Sequence, residues 1–424
     1  MELTIEKLVY GGDGLAHHDG STVFVPFVIP AERVSAAPIE QKKKFVRARV
    51  ERVLEPSPER TAARCPHYGV CGGCHYQHIP YEAQLKYKAE ILRETLRRLG
   101  RIDWPGAITI HASPPWGYRN RAQWKIRALG EASGSGLGIG YFRANSTALC
   151  PAEDCAILSP LLLKTLLALR AALAEKALPS ELREIEAFAG AHDTKLLLTA
   201  TFAGFPSRRP QLVETFRRVL PEIESLLFHD PNSERMELDG PGFVECEAGD
   251  AKFRVGHLSF FQVNRFLVDE LARDVAGSET GGQLALDLFA GVGLFSVPLA
   301  RNFQRVVAVE SNPAAARDLE SNVSSKGSVE VRTADVERFL EKFKDKPDFV
   351  LLDPPRAGLE AGAIKTLARI APERITYVSC EPPTLARDLA ALRTAGYDIS
   401  GIHLFDLFPQ TFHIETVVRL VRRS

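Results

Sequence analysis

Two short apolar runs end in residue types that can do chemistry. Phe349-Val350-Leu351-Leu352 leads into Asp353-Pro354-Pro355-Arg356-Ala357-Gly358, and Ile375-Thr376-Tyr377-Val378 leads into Ser379-Cys380-Glu381-Pro382. If both runs are strands of one parallel sheet, carboxylate and thiol face one crevice, because ligands of such sheets bind beyond the carboxyl ends of the strands. A thiol just before a helix start is expected to have a lowered pKa, since the positive end of the helix stabilises the nucleophilic thiolate. A third group, Glu415, closes the segment Asp406-Leu407-Phe408-Pro409-Gln410-Thr411-Phe412-His413-Ile414-Glu415, ahead of an apolar C-terminal run.

Upstream, Leu286-Asp287-Leu288-Phe289-Ala290-Gly291-Val292-Gly293 reads as a strand end opening a helix. Glycines there, Gly291 among them, let the backbone approach a ligand closely. The next apolar run, Val306 to Val309, ends in Glu310, spaced to accept hydrogen bonds from ribose hydroxyls. Asp335, after a third run, suits an adenine amino group. There is no third fingerprint glycine and no phosphate-gripping lysine, so S-adenosylmethionine (SAM) fits better than a dinucleotide or ATP.

The chain has seven cysteines, of which Cys65, Cys71 and Cys74 fall within ten residues and Cys150 and Cys155 follow. An odd count in a chain whose N-terminus lacks a signal-peptide core argues for metal ligation or catalysis over disulfides. Cys65, Cys71 and Cys74 offer three soft ligands, suited to zinc or to an iron–sulfur cluster, with a fourth needed from elsewhere. Cys246 has no motif around it and reads as packing.

The elements that must position these groups form three stretches. Residues 1–56 alternate short β-rich runs with glycine turns, which suits a small barrel of the OB type. Residues 57–255 hold the cysteines, a helix-like segment from Tyr81 to Leu99, and mixed strands and helices; part of 77–108 is free to pack on the domain that follows. From about Gly256 to residue 424, strand and helix alternate, which predicts an α/β fold with a doubly wound, mainly parallel sheet. The whole chain of 424 residues carries 53 basic and 53 acidic groups, a net charge of zero. Yet Gln41 to Arg127 holds 18 basic and 7 acidic residues, a net charge of +11 offset by −11 elsewhere, as expected of a polyanion binder. No apolar run approaches the ~18 residues of a membrane span. A cytoplasmic address, no membrane partner and a monomer are the expectations.

Together the DLFAGVG loop, the DPPRAG strand end, the SCEPPTLARDL segment and the FPQTFHIE tail resemble the RNA uracil-C5 methyltransferase family, whose members make 5-methyluridine. Ser259-Phe260-Phe261-Gln262-Val263-Asn264 and Tyr118-Arg119-Asn120-Arg121-Ala122 are family-like as well, and the match spans nearly the whole chain. The first 56 residues resemble the TRAM domain, a small RNA-binding module. The resemblance implies that Cys380 is the nucleophile and Glu415 the general base, and that Gln262, Phe289, Glu310, Asp335 and Asp353 line the SAM and uracil sites. Leu294 stands where the family often has asparagine, so one polar cofactor contact is missing.

This chemistry explains the residue types. Uracil C5 is a weak nucleophile; a Cys380 thiolate added to C6 turns the ring into an enolate whose C5 accepts a methyl group. Glu415 then removes the C5 proton and elimination frees the thiolate. Asp353 is the candidate to orient the ring through its imide edge. A stacked base cannot meet this geometry, so the target is expected to be flipped out or to lie in an open loop, with Trp116 or Tyr118 available to stack bases. The cysteine segment resembles relatives that carry a 4Fe-4S cluster, and Cys155, which precedes Ala156-Ile157-Leu158-Ser159-Pro160, matches their fourth ligand better than Cys150. The favoured substrate is 23S ribosomal RNA; the T-loop uridine of tRNA is the close alternative. A non-catalytic iron–sulfur RNA-binding protein is the alternative of a different class, and it has no need of both Cys380 and Glu415.

Overall fold

The structure, a computed structural model, describes residues 1–129, 136–207, 209–277 and 281–423. Strands β1 (Glu2–Thr4), β2 (Lys7–Leu8), β3 (Asp13–His18), β4 (Ser21–Pro26), β5 (Arg33–Gln41) and β6 (Phe45–Glu55) form one sheet in the order β1-β5-β6-β4-β3-β2. Its two edges, β1 and β2, are halves of one segment, so the sheet curls onto itself; the Glu6 amide donating to the Leu15 carbonyl continues the seam. Val23, Val25, Val34, Ala36, Val46 and Ala48 fill its interior, as the period-2 alternation of these strands requires.

After the cysteine-bearing segment come helix α1 (Tyr81–Gly100) and strand β7 (Ile108–His111). The central sheet follows, built from β8 (Arg121–Ala128), β9 (Leu137–Phe142), β10 (Leu149–Pro151), β11 (Leu182–Ala189), β12 (Leu196–Phe202), β13 (Ile223–Asp230) and β14 (Arg235–Asp239) in the order β10-β9-β8-β11-β12-β13-β14. Helices α2 (Pro160–Ala174) and α3 (Arg209–Val219) cover it. The hairpin of β15 (Phe243–Ala248) and β16 (Ala251–Gly256) and helix α4 (Val268–Ala272) lead into the last region.

That region is an eight-stranded sheet, β19-β18-β17-β20-β21-β23-β22-β7. Its members are β17 (Gly282–Leu288), β18 (Phe303–Glu310), β19 (Val329–Thr333), β20 (Phe349–Leu352), β21 (Arg374–Ser379), β22 (Tyr397–Phe405), β23 (Glu415–Arg422) and the early strand β7. Helices α5 (Ser296–Asn302), α6 (Pro313–Val323), α7 (Val336–Lys342), α8 (Ala361–Ile370) and α9 (Pro382–Thr394) alternate with the strands. The strands β17 to β21 pair in parallel, while β23 inserts antiparallel beside β21. Successive residues feed opposite cores: Leu286, Val307, Val350 and Ile375 pack with α1, α8 and α9 on one face, while Ala285, Val306, Phe349 and Val378 pack with α5 and α6 on the other. Near-continuous apolar strands follow from burial on both faces, each fully buried Leu, Val or Ile contributing about 1.5–3 kcal/mol. Thus α1 and β7 belong to the C-terminal sheet although they precede the central one in the chain. No helix among the described residues is long and apolar enough to cross a membrane.

Candidate active site

Beyond the carboxyl ends of β17, β18, β20 and β21 lies a cavity of about 1260 Å³. Its wall brings together every side chain singled out above for catalysis and cofactor binding: Gln262, Phe289, Gly291, Glu310, Asp335, Asp353, Cys380 and Glu415. The parallel order explains this, because β17 is flanked by β18 on one side and β20 on the other, and such a switch point opens a crevice.

The loop after β17 turns through left-handed backbone at Phe289 (φ 69°), Gly291 (φ 55°) and Gly293 (φ 92°). Gly293 suits its left-handed backbone, and a Cβ there would lie 2.6 Å from Leu319 Cδ1, so that side chain would have to shift. Glu310 accepts hydrogen bonds from the amides of Gly291 (Oε2, 2.8 Å) and Asn312 (Oε1, 2.6 Å). Each carboxylate oxygen keeps a lone pair for a further donor, so its orientation is fixed without its capacity being spent. Asp335 is exposed and caps α7, its carboxylate accepting from the Arg338 amide at 3.1 Å. Leu294 lies buried in the wall and presents only hydrocarbon. Among the described residues, the lining arginines are Arg356 and Arg387, and no lysine lines the cavity. A loop with an open glycine backbone, an oriented acid and no phosphate grip fits SAM.

Cys380 and Glu415 meet through the ladder. In the antiparallel pairing of β21 and β23, Ser379 is opposite Thr416; continuing that register by one residue sets Cys380 across from Glu415. Asp353 directly follows β20, whose Leu352 pairs with Tyr377. Burial pushes the Cys380 thiol up to about 11, helped by the Glu415 carboxylate and opposed by Arg356. This corrects the expectation of a lowered pKa: α9 begins two residues beyond the thiol, and desolvation outweighs its dipole. Burial, then Asp353, raises Glu415 well above the usual carboxylate range. Burial, then Asp287 and Glu310, lifts Asp353 to about 7. Positive charge brought into the cavity drives all three groups towards their ionised forms.

In and behind this wall stand residues that no local spacing reveals; Phe408 and His413 line the cavity, and the others support it. The Tyr10 hydroxyl, from the turn of the N-terminal sheet, donates to Glu381 Oε2 at 3.0 Å and lies 3.4 Å from the Cys380 carbonyl oxygen. Its ring meets Phe412 edge-on at 5.6 Å, and Phe412 packs against His413 at 4.3 Å. Desolvation, with Arg356 adding to it, pushes the pKa of His413 down to about 3, so at neutral pH its ring is uncharged. Lys88 of α1 donates to Asp406 Oδ1 at 2.6 Å and to the Phe408 carbonyl at 3.0 Å, with both members of the ion pair fully buried. Tyr118 is also fully buried, its hydroxyl donating to the Pro409 carbonyl at 3.1 Å. It supports the loop from beneath and is not available to stack on RNA, contrary to expectation. Trp116 stays half-buried, with the Arg64 guanidinium 5.3 Å from its ring centre.

A second cavity, of about 230 Å³, is lined by Cys65, Cys71, Cys74, Cys150 and Cys155. All five are free thiols, and burial pushes all five upward, Cys71 to about 11 and Cys74 to about 12. Cys246, by contrast, is buried in the hydrophobic core. Among the described residues, the set of three or more His, Cys, Asp or Glu with ligand atoms all within 4.8 Å of one another is His111, Asp274 and His403. Hydrogen bonds already occupy those rings. Arg419 donates to His403 Nε2, His403 Nδ1 lies 2.9 Å from His111 Nε2, and His111 Nδ1 lies 2.6 Å from Glu270. With each proton directed along that chain, neither ring offers a lone pair to a metal. Among the described residues, no three cysteine sulfurs all lie within 4.8 Å of one another, whereas ~2.3 Å bonds to one tetrahedral zinc set its ligands about 3.8 Å apart.

The tRNA (uracil-5-)-methyltransferase family matches residues 249–423. Over its full length the chain is 33% identical to the 23S rRNA (uracil(1939)-C(5))-methyltransferase RlmD of Alkalilimnicola ehrlichii, covering 97% of that protein. It is 32% identical to an uncharacterized RNA methyltransferase of Aquifex aeolicus, across 99% of this chain and 98% of that one. Among solved structures it resembles the Pyrococcus abyssi tRNA (uracil-54, C5)-methyltransferase in complex with S-adenosyl-L-homocysteine, at 26% identity, with a TM-score of 0.78 and coverage of 99% and 100% of the two chains. With Cys380, Glu415 and Asp353 gathered at the ends of such a sheet, the chain belongs to the SAM-dependent RNA (uracil-5-)-methyltransferase family.

Proposed function

We propose that this enzyme methylates C5 of a uridine in 23S rRNA through a covalent adduct between Cys380 and C6, with Glu415 as the general base. The observation that carries the covalent route is that Cys380 and Glu415, each next to the Ser379–Thr416 pair that ends the ladder, line one cavity. Adding the Cys380 thiolate to C6 forms a C–S bond and moves the C5=C6 electrons into an enolate, which makes C5 nucleophilic. SAM, held by Gln262, Phe289, Gly291, Glu310 and Asp335, supplies an electrophilic methyl group and a positive sulfonium. Glu415 takes the C5 proton; the freed pair restores C5=C6 and expels the thiolate. A carboxylate whose pKa is raised by burial is the stronger base for this step. Asp353 orients the uracil through its imide edge.

Similarity along the full chain to the A. ehrlichii rRNA enzyme supports the rRNA substrate. The T-loop uridine of tRNA is the second reading, favoured by the likeness to the P. abyssi tRNA enzyme. The curled N-terminal sheet acts as a TRAM-like RNA-binding module, in keeping with the basic stretch from Gln41 to Arg127. With radiolabelled SAM and RNA from cells lacking the enzyme, label is expected as 5-methyluridine in 23S rRNA. Label confined to tRNA moves the substrate to the T loop, and label at any atom other than uracil C5 overturns the proposal.

The cysteine cavity suits a 4Fe-4S cluster held by Cys65, Cys71, Cys74 and Cys155, because five thiols line it and no three of the described sulfurs share the close mutual spacing of ligands to one zinc ion. Bound there, the cluster joins the cysteine segment to the central sheet; uracil methylation needs no electron from it. Protein purified without oxygen is expected to contain about four iron and four sulfide per chain. Cys155→Ser should remove them and Cys150→Ser should not; the opposite pattern makes Cys150 the fourth ligand.

A further inference from the structure

We infer that Gln410, through its capture by the N-terminal segment, is the positioning residue for the general base. Gln410 lies five residues before Glu415, is buried, and adopts the left-handed φ of 68°. A non-glycine residue holds that conformation only where its surroundings impose it. Here they do so through four hydrogen bonds from residues more than 300 positions away. The amides of His75 and Tyr76 both donate to the Gln410 carbonyl, at 2.9 and 3.0 Å. Gln84 of α1 completes the grip reciprocally: its Oε1 accepts from the Gln410 amide and its Nε2 donates to Gln410 Oε1, each at 3.0 Å. Gln84 is itself fully buried and further fixed by donating to the carbonyls of Tyr76 and Ile79.

The consequence is mechanical. Between Asp406 and β23 the chain forms an irregular loop, so the ladder, in which Glu415 pairs with Phe405 of β22, holds Glu415 laterally and on its C-terminal side but not along the chain before it. Gln410 is the fixed point on the other side, and it is clamped by the same segment that carries Cys71 and Cys74. Cys380 reaches the cavity from β21, and none of the four bonds at Gln410 involves it. Loosening the clamp therefore impairs proton removal selectively and spares thiolate addition.

This inference rests on the covalent route proposed above, and two substrates separate the two steps. RNA carrying 5-fluorouridine has no C5 proton and is trapped as the methylated adduct, so its rate of adduct formation reports thiolate addition and methyl transfer without proton removal. RNA carrying 5-tritiated uridine releases tritium only when the base acts. Gln84→Met removes both bonds to Gln410, along with those to the Tyr76 and Ile79 carbonyls, at similar volume. It should slow tritium release on the order of 10–100-fold, the scale of a displaced catalytic group, while adduct formation on fluorinated RNA stays within about twofold of wild type. Methylated adduct should then accumulate on ordinary uridine RNA. Gln410→Asn tolerates the left-handed backbone but withdraws the amide oxygen from Gln84; it should slow release several-fold, and it decides the matter alone if Gln84→Met does not fold. Parallel loss of both steps, or no selective loss in either variant, overturns the inference. A wild type that forms no adduct overturns the covalent route itself, and this inference with it.

Discussion

Cys380→Ala should leave the fold intact, abolish the covalent complex with 5-fluorouridine RNA, and lower uridine methylation by at least on the order of 10⁴-fold, the scale seen when a covalent nucleophile is deleted. Thermal unfolding should change little, because Cys380 is only half-buried at a strand end facing the cavity. The complex, resolved on a denaturing gel, checks the result; methyl transfer surviving the substitution defeats the covalent mechanism. The pH profile is a second signature. Cys380, Asp353 and Glu415 are all pushed upward, so each loses its proton as pH rises and each becomes competent in the same direction. The value of kcat/KM for RNA, which reports ionisations of the free enzyme, should climb across the range from about 6 to 9 without a descending limb from these groups. A bell centred near neutrality would assign one of them the opposite role.

Glu415→Gln should give the complementary phenotype. Removing a general base costs roughly 10²–10⁴-fold, and the block falls after methyl transfer. Enzyme and ordinary uridine RNA should therefore accumulate as a covalent complex that already carries the methyl label, whereas Cys380→Ala forms none. The amide keeps the shape of the carboxylate, and Glu415 is 5% exposed, so loss of folding is not expected to blur the result. Absence of a trapped methylated complex, with turnover still lost, would move Glu415 to an earlier step.

Much of the site was legible because parallel sheets present the ends of their strands. Once Phe349–Leu352 and Arg374–Ser379 form neighbouring strands, Asp353 and Cys380 fall at one crevice by topology alone. The same holds for Phe289 and Glu310 at the ends of β17 and β18. What local pattern does not encode is contact across hundreds of residues. Tyr10, Gln84 and Lys88 sit in segments whose spacing speaks only of a turn and a helix, yet they meet Glu381, Gln410 and Asp406. The environment of a motif is similarly hidden. The sequence sets Cys380 before a helix and suggests a depressed pKa, but the hydrocarbon and carboxylates around it decide the outcome. Tyr118 likewise sits in a motif suited to RNA contact, while packing turns it inward.

The Tyr10 hydroxyl, against Glu381 and the Cys380 carbonyl, makes the first fifty-odd residues a buttress behind the strand end that carries the thiol. What a linear map draws as a detachable appendage also braces the backbone of the reactive cysteine. Cutting it away exposes a buried flank to water, and a truncated protein would lose turnover for reasons unrelated to nucleic-acid affinity. Shuffling such modules between homologues has to carry over the matching partner of that phenol.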